Sequence, residues 1–451
     1  MTATKPSHVR WFLISWLFVL SAVSFLDRVN ISIASNSIVD TYGFTNRQLG
    51  YVFSALLAGY ALFQTVGGRL ADRFGSRRVL AAGVLWWGVF TALTATIPTK
   101  VGHALLLFIS VRFLLGAGEA VVYPSSNHFV ARWIPVQERG IANGVIFAGV
   151  GVGAGLTPPL ITYLMLHYGW RASFWTCSIL GCIAGAVWLL AARDIPQEHR
   201  GVSSSELEHI RAGLSRAVAS EHPKSGTSLI PWSRVLRSKD VWAVTISYFC
   251  FGYVAWIFFS WFYRYLATVR GLNLKSSAFY SMLPFLAMAA ACPLGGFISD
   301  WLIKVRGPRF GRCGVAVVGM GLAAIFIACG SQVDNTRLAS VFLAGGAGAL
   351  YLAQSSFWSV TAGIAGPSSG SVSGFMNMGA QIGGFVTASL TPVIGDLFGW
   401  TAAFLVAAAC CALGAVAWLM VDPEASLIES AGVLRAPVAT ADTVVAGSSK
   451  G

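Results

Sequence analysis

The stretch Gly68-Arg69-Leu70-Ala71-Asp72-Arg73-Phe74-Gly75-Ser76-Arg77-Arg78 joins two apolar segments and decides how the chain folds. It holds four arginines and one aspartate, whereas the segments on either side are almost free of charge. A partial copy, Gly296-Phe297-Ile298-Ser299-Asp300, closes another apolar segment 228 residues later. At a similar offset, 230 residues, Gly169-Trp170 returns as Gly399-Trp400. These landmarks predict a chain built from two related halves.

Charged residues are scarce throughout the 451-residue chain. Lys, Arg, Asp and Glu make up 11% of it, whereas soluble globular proteins carry about 25%. Hydrophobic residues make up 55%, and the mean hydropathy is +0.67. This composition excludes a cytosolic enzyme, a secreted disulfide-stabilised protein and a disordered chain, and it indicates a polytopic membrane protein.

The apolar segments are long enough to cross a bilayer, whose core of about 30 Å needs about 20 helical residues. Windows of this size predict twelve spans, numbered here in chain order: 11–33, 49–68, 79–98, 104–123, 140–163, 171–192, 241–266, 277–299, 313–332, 337–362, 371–395 and 400–421. Span 1 is longer than the apolar core of a signal peptide, so we expect it to be retained. The predicted fold is an all-α polytopic membrane protein with twelve transmembrane helices in two pseudo-symmetric six-helix bundles.

The spans divide the chain into five predicted parts: an N-terminal tail at 1–10, a six-helix bundle at 11–192, a linker at 193–240, a second bundle at 241–421 and a C-terminal tail at 422–451. The linker is rich in both basic and acidic residues, and its pattern predicts a surface helix capped by Ser203, Ser204 or Ser205. The small, polar C-terminal tail is expected to be disordered.

Basic residues fall mainly on one side of the predicted membrane. With the N-terminus inside, the inner segments hold 22 of the 31 Lys and Arg residues. The outer loops hold seven: Arg47, Lys100, Arg171, Arg264, Arg270, Lys275 and Arg337. Cytoplasmic loops are enriched in basic residues, so both termini are predicted to be cytoplasmic in an inner or plasma membrane. The net charge of +13 is therefore a topology signal and does not indicate nucleic-acid binding.

The chain carries no pattern typical of a cofactor or metal site. Its eight cysteines lie in or beside apolar stretches, where a thiol behaves as a small hydrophobe. No pair of them has metal-ligand spacing, and no glycine-rich nucleotide-binding motif with a lysine occurs. We therefore expect no disulfide, metal or cofactor. A membrane enzyme is disfavoured because no histidine lies within a predicted span.

Four ionisable residues do lie within spans: Asp27 and Arg28 in span 1, and Arg112 and Glu119 in span 4. A charge at the bilayer centre costs at least about 2.5–3.5 kcal/mol, so such residues usually face a cavity and have a function. Arginine can bind a carboxylate through two parallel hydrogen bonds. Our hypothesis is that Arg28 and Arg112 attract an organic anion, while Asp27 and Glu119 take up protons. Two static ion pairs are the alternative.

The loop at 68–78 resembles the signature loop of the major facilitator superfamily, which implies that family's twelve-helix fold and alternating access. Asp72 at a helix end can pair with neighbouring arginines or with a facing helix terminus. We therefore predict a conformational latch formed by Gly68, Asp72, Arg73, Gly75, Arg77, Arg78 and Asp300. A plain positive-inside loop is the alternative, but it would need neither the paired glycines nor the aspartate.

Further motifs resemble one branch of that superfamily, the anion:cation symporters, which includes bacterial galactonate, glucarate and hexuronate carriers. The motifs are Phe25-Leu26-Asp27-Arg28-Val29-Asn30-Ile31, Arg112-Phe113-Leu114-Leu115-Gly116-Ala117-Gly118-Glu119-Ala120 and Ser373-Gly374-Phe375-Met376-Asn377-Met378-Gly379. The resemblance implies proton sites at the two acids and carboxylate ligands at the two arginines. It also implies pocket positions at Tyr60, Ser355, Trp358 and Asn377. Phe25 stands where some sugar-acid carriers have tyrosine, which weakens an assignment to galactonate itself.

The sequence thus predicts a monomeric, proton-coupled symporter of an organic carboxylate such as an aldonate, aldarate or hexuronate. Its predicted partners are the anion, protons and the lipid bilayer. An exchanger or uniporter of a small or aromatic carboxylate is the alternative; a channel and a non-transporting receptor are disfavoured. We expect His128 to be interfacial. Most aromatic residues of span 7 are expected to face lipid or the interface: Trp256, Phe258, Phe259, Trp261, Phe262, Tyr263 and Tyr265.

Overall fold

The computed structural model describes residues 7–99, 102–214, 230–262, 265–272, 274–425 and 427. Spans 1 to 6 are the helices Val9–Tyr42, Asn46–Phe74, Ser76–Thr96, Ala104–Glu119 with Val122–Trp133, Arg139–Tyr168 and Trp170–Ala191. Spans 7 to 12 are Lys239–Ser260, Leu274–Arg306, Val315–Gln332, Thr336–Leu352 with Gln354–Ala365, Ser369–Phe398 and Trp400–Leu419. Lys100, Tyr263, Arg264 and the tail residues 428–451, where disorder is predicted, lie outside the described residues.

The helices are long and apolar enough to cross a membrane. Eleven apolar stretches of the described residues qualify, and one of them, Thr336–Phe398, is 63 residues long and contains both span 10 and span 11. The predicted all-α fold with twelve transmembrane helices is therefore confirmed. Several helices extend beyond the predicted windows, because a helix continues past its apolar residues until a capping residue ends it. Span 1, for example, ends only at Gly43.

The two halves repeat each other in structure as well as in sequence. Gly169 and Gly399 have positive φ angles of 78° and 83°, and each separates two long helices just before a tryptophan. Glycine adopts this conformation without steric cost, which explains the repeated Gly-Trp pair. Between the halves, span 5 packs against span 8 and span 2 against span 11. Each half thus contributes equivalent helices to the interface.

The linker packs against the start of span 1. Its helix Ser204–Gly213 is capped by the side chain of Ser203. Glu206 on this helix is buried, although the predicted helix is a surface one. The Glu206 carboxylate accepts hydrogen bonds from the backbone N–H groups of Val9 and Arg10, both at 3.2 Å, and so caps span 1. We call this side of the molecule, where the 68–78 loop also lies, the linker end.

Candidate functional site

A cleft lies between the two halves, with about 500 Å³ of empty space, part of which lies outside its open side. Spans 1, 2, 4 and 5 form its wall on one side, and spans 7, 10 and 11 form it on the other. Among the described residues that line it, Arg28 is the one charged side chain. The other polar groups of the wall are tyrosine hydroxyls and side-chain amides. A cleft at the interface of two repeats is where transporters of this architecture bind their ligands.

Arg28 presents a cation to this cleft. Its Nε donates a hydrogen bond to Oε2 of Glu119 at 2.6 Å. The guanidinium also lies over the rings of Tyr60 and Phe25, 4.3 and 4.8 Å from their centroids. Its Nη2 has no hydrogen-bond partner among the described residues. The rings hold the guanidinium in place, and its free N–H groups can bind an anion.

Two glycines allow these groups to meet. A Cβ on Gly59 would lie 2.1 Å from the carbonyl oxygen of Phe113 in span 4. A Cβ on Gly116 would lie 2.2 Å from a carbonyl oxygen of span 2. Spans 2 and 4 can therefore pack backbone to backbone only because these positions carry no side chain. The close approach brings Tyr60 and Glu119 to the same guanidinium.

The two acids are fully buried. Oδ2 of Asp27 accepts a hydrogen bond from the hydroxyl of Thr91 in span 3, a contact that no sequence pattern singled out. Oδ1 of Asp27 and Oε1 of Glu119 have no hydrogen-bond partner in the described part of the chain. A buried carboxylate oxygen without a partner is costly unless it meets a cation or takes up a proton. Both acids are therefore suited to bind protons.

Arg112 lies behind the cleft and is not among the residues that line it. It is 2% exposed, and its Nε and Nη1 atoms have no hydrogen-bond partner among the described residues. Asp27 and Glu119 interact with it electrostatically, but neither forms an ion pair with it within 4.0 Å. The alternative interpretation of the four charges is two static ion pairs. The described residues show one such pair, between Arg28 and Glu119.

The second half contributes an uncharged polar wall, of which the sequence motifs identified Asn377 but not Tyr248, Gln354 or Gln381. The Tyr248 hydroxyl accepts hydrogen bonds from Nε2 of Gln354 at 2.9 Å and from Nε1 of Trp358 at 3.0 Å. Oε1 of Gln354 and Oε1 of Gln381 have no partner among the described residues. These amides can bind hydroxyl groups of a ligand. Glutamine within an apolar span is the signal that points to such a wall.

The four further pocket positions fall into two groups. Tyr60 and Asn377 line the cleft, and Nδ2 of Asn377 donates a hydrogen bond to Gln64 across the two halves at 3.0 Å. Ser355 and Trp358 are buried behind the wall. The Ser355 hydroxyl has no hydrogen-bond partner in the described part of the chain. Trp358 therefore acts on the cleft through its neighbours.

The prediction that most aromatic residues of span 7 face lipid or the interface is wrong. Phe258, Phe262 and Tyr265 are at most 4% exposed, and Trp256 and Phe259 line the cleft. Span 7 packs against spans 11 and 12, and 78% of the residues in its most apolar 18-residue stretch are buried. Phe258, Phe262 and Tyr265 therefore build the interior of the second half, whereas Trp256 and Phe259 face the cleft.

Two aspartates join the halves at the linker end. Asp72 accepts hydrogen bonds from the backbone N–H groups of Gly370 and Ser371, both at 2.8 Å, in the first turn of span 11. Asp300 accepts one from Gly140 at 2.9 Å, in the first turn of span 5. Each carboxylate thus caps a helix of the opposite half, where the positive end of the helix dipole favours an anion. These symmetric contacts close the linker end.

Glycines permit these contacts. A Cβ on Gly68 would lie 2.0 Å from the carbonyl oxygen of Gly370, and one on Gly296 would lie 2.2 Å from that of Gly140. Any side chain at Gly68 or Gly296 would therefore push the halves apart. Gly75 has a φ of 87° and forms the turn between spans 2 and 3.

Among the described residues, none of the loop arginines forms an ion pair with Asp72 within 4.0 Å. Arg77 donates a hydrogen bond to a carbonyl of span 6, Arg73 lies over a neighbouring aromatic ring, and Arg78 lines a groove on the outer surface. The sequence predicts that Asp72 pairs with neighbouring arginines or with a facing helix terminus. Among the described residues, it contacts the helix terminus at the start of span 11. His128 is buried at the linker end, in the helix Val122–Trp133 of span 4, with its Nε2 4.0 Å from Asp72.

Comparison with known proteins shows which transporters this chain resembles. The chain is 33% identical over 421 residues to the probable sulfoacetate transporter of Cupriavidus necator. The matched region covers 92% of this chain and 94% of that protein. It is 32% identical over 346 residues to the probable galactarate/D-glucarate transporter of Bacillus subtilis, 76% of each chain. It is 27% identical to the probable L-galactonate transporter of Escherichia coli, over 92% of this chain and 90% of that one.

Solved structures show the same fold. The proton:xylose symporter XylE superposes with a TM-score of 0.69 at 15% identity, over 90% of this chain and 94% of that one. FucP in its outward conformation superposes with a TM-score of 0.66 at 18% identity, over 91% of this chain and 97% of that one. The family model of the Major Facilitator Superfamily matches residues 17–308 and 305–441. The chain is therefore a membrane transporter that belongs to the Major Facilitator Superfamily, as its loop at 68–78 indicates.

Proposed function

We propose that the chain carries an organic carboxylate anion together with protons, by alternating access. The observation that supports this most is the 2.6 Å ion pair between Arg28 and Glu119 at the wall of the cleft. Protonation of Glu119 would remove the partner charge and free the guanidinium for the carboxylate of a ligand. Proton and anion would then favour each other's binding, which is the thermodynamic requirement of symport. Asp27 is the second proton site of this proposal.

The cleft favours a ligand with one carboxylate and a neutral, hydroxylated body. Arg28 supplies the cation, and the amides of Gln354, Asn377 and Gln381 face it from the other half. A sugar acid such as an aldonate or hexuronate has this chemistry, and one relative is named for L-galactonate. Another relative is named for galactarate/D-glucarate, sugar acids that carry a second carboxylate. A smaller anion is the second candidate, because the 33% identical relative is named for sulfoacetate.

We place this multi-pass protein in the inner or plasma membrane, as a monomer with both termini cytoplasmic. The distribution of basic residues supports this orientation, since 22 of the 31 lie on the side of the termini. The linker end is then the cytoplasmic end. Its closure by Asp72 and Asp300 leaves the cleft to be reached from the opposite side in this state.

Uptake by proteoliposomes tests the proposal directly. We expect saturable uptake of at least one of L-galactonate, D-glucarate, galactarate and sulfoacetate, and none of neutral galactose. An inward proton gradient of one pH unit should give up to about tenfold accumulation per proton carried, because one pH unit is worth about 1.4 kcal/mol. Uptake that ignores the gradient would rule out proton symport but not anion transport. Linear flux at all concentrations would indicate a channel.

Breaking the latch should open the linker end. Asp72→Asn leaves an amide that can no longer accept from both N–H groups at the start of span 11. A hydrogen bond to a charged group contributes about 1.5–3 kcal/mol, so the closed population should fall by about 10- to 100-fold relative to the open one. The measurement is the electron-spin distance between labels at two exposed positions, Gln197 in the linker just after span 6 and Lys304 in span 8 of the second half, in a background without the native cysteines.

A glycine series controls this experiment. Gly68→Ala should lengthen the same distance, because its Cβ would lie 2.0 Å from a backbone oxygen of span 11. Gly321→Ala makes the same change where nothing lies within 4 Å, and should leave the distance unchanged. An unchanged distance in both Asp72→Asn and Gly68→Ala would show that these contacts are not a latch.

A further inference from the structure

A second cavity, apolar and separate from the cleft, lies on the outer surface of the first half. It is a groove between spans 2 and 3 with about 1030 Å³ of empty space, part of which lies outside its open side, and span 4 forms its floor. Its walls include Phe63, Leu70, Phe74 and Trp86, which are 39–52% exposed. In a membrane this face meets the acyl chains of lipids. The groove is concave, so it differs from the convex surface that a helix bundle usually presents there.

Small residues create the depth of the groove. A Cβ on Gly118 would lie 2.2 Å from Cδ1 of Trp86, and one on Gly83 would lie 2.2 Å from Cγ2 of Val121. The indole N–H of Trp86 already donates to the carbonyl oxygen of Leu114 at 2.7 Å. The interior of the groove therefore offers apolar contacts, which suit a hydrocarbon chain.

The length and charge of the groove match one lipid leaflet. From Trp86 to Arg78 is eight residues, or about 12 Å along a helix, and half of a bilayer core is about 15 Å. Arg78 lies at the linker end of the groove, is exposed, and is the one charged residue among its described lining residues. It forms no ion pair with any residue that the structure describes. A cation thus stands at headgroup depth above an apolar channel.

We infer that this groove binds an anionic phospholipid, with one acyl chain between spans 2 and 3 and the phosphate at Arg78. An anionic lipid fits better than a zwitterionic one, because Arg78 lacks a carboxylate partner and a zwitterionic headgroup brings its own cation. The bound chain contacts Leu70 and Phe74, on either side of Asp72 in span 2. The site does not depend on which anion the cleft carries.

Native mass spectrometry of the purified full-length protein tests this inference. The protein is titrated with dioleoyl-phosphatidylglycerol and, separately, with dioleoyl-phosphatidylcholine. We expect the first lipid to bind about fivefold more tightly, as one basic residue at an anionic headgroup would give. Arg78→Gln should remove this preference. Ala82→Phe fills the groove from its exposed side and should weaken binding of both lipids.

Two matched variants serve as controls. Arg306→Gln and Val89→Phe introduce the same residues at exposed positions outside the groove, and both should bind lipid as the wild type does. Melting temperatures in phosphatidylcholine report whether each variant is folded, and the Ala82→Phe result stands if Arg78→Gln does not fold. Equal binding of the two lipids by the wild type overturns the inference. So does a dimer that lipid displaces, since a second copy would then occupy the groove.

Discussion

Arg28→Gln should weaken binding of the transported anion by at least about a hundredfold and abolish its uptake. Arg28 is the one charged residue among the described lining of the cleft, and its Nη2 is free to bind. Hydrogen bonds to a charged group contribute about 1.5–3 kcal/mol each, and every 1.4 kcal/mol is about tenfold in affinity. Losing a two-bond contact with a carboxylate therefore gives this magnitude. Calorimetric titration with the best substrate of the uptake panel measures it.

Three companion variants separate binding from folding. Arg28→Gln leaves Glu119 buried without its partner, which destabilises a protein by about 3–5 kcal/mol. The double variant Arg28→Gln with Glu119→Gln removes both charges, so it should regain stability but not affinity. Arg28→Lys keeps the charge but not the planar fork of the guanidinium, so its affinity should lie between those of the wild type and Arg28→Gln. Arg337→Gln removes an exposed arginine elsewhere and should behave as wild type. Wild-type affinity in Arg28→Gln would exclude this residue as the carboxylate ligand.

The fold could be predicted because its main determinants are local. A helix that crosses a bilayer needs about 20 apolar residues, and that signal does not depend on tertiary contacts. The break inside span 4 also has a local cause: Pro124 has no N–H for the carbonyl of Ala120, where the first helix ends. Span 10 has an equivalent break at Ala353, but no proline stands four residues later in the sequence. This break therefore depends on packing that a single sequence does not reveal.

The candidate site could be predicted in part, for a related reason. Charges such as Asp27 and Arg28 stand out in an apolar span because they are costly there. Which of them meet is a matter of tertiary geometry: Glu119 reaches Arg28, whereas Arg112 stays behind the wall. The contact between Thr91 and Asp27 joins two spans and has no sequence signature. Uncharged polar residues cannot be singled out in this way, because burying a tyrosine or a glutamine in a helix bundle costs much less free energy than burying a charge.

Asp27→Asn should abolish accumulation against a gradient while leaving exchange intact. Asparagine keeps the shape of the protonated acid and its contact with Thr91, but it cannot release a proton. Net symport requires the proton site to load and unload in each cycle, whereas exchange of internal for external substrate does not. In proteoliposomes with an inward gradient of one pH unit, the variant should reach only the external concentration. The wild type should exceed it by up to about tenfold per proton.

Counterflow distinguishes this result from simple inactivation. Vesicles loaded with unlabelled substrate should still take up labelled substrate through Asp27→Asn, since the Arg28 side of the cleft is unchanged. Asp40→Asn makes the same substitution at an exposed position on the same helix and should accumulate as the wild type does. If Asp27→Asn accumulates substrate normally, Glu119 alone must carry the coupling. If it loses counterflow as well, Asp27 supports the structure of the first half and is not a proton site, because only coupling separates the two assays.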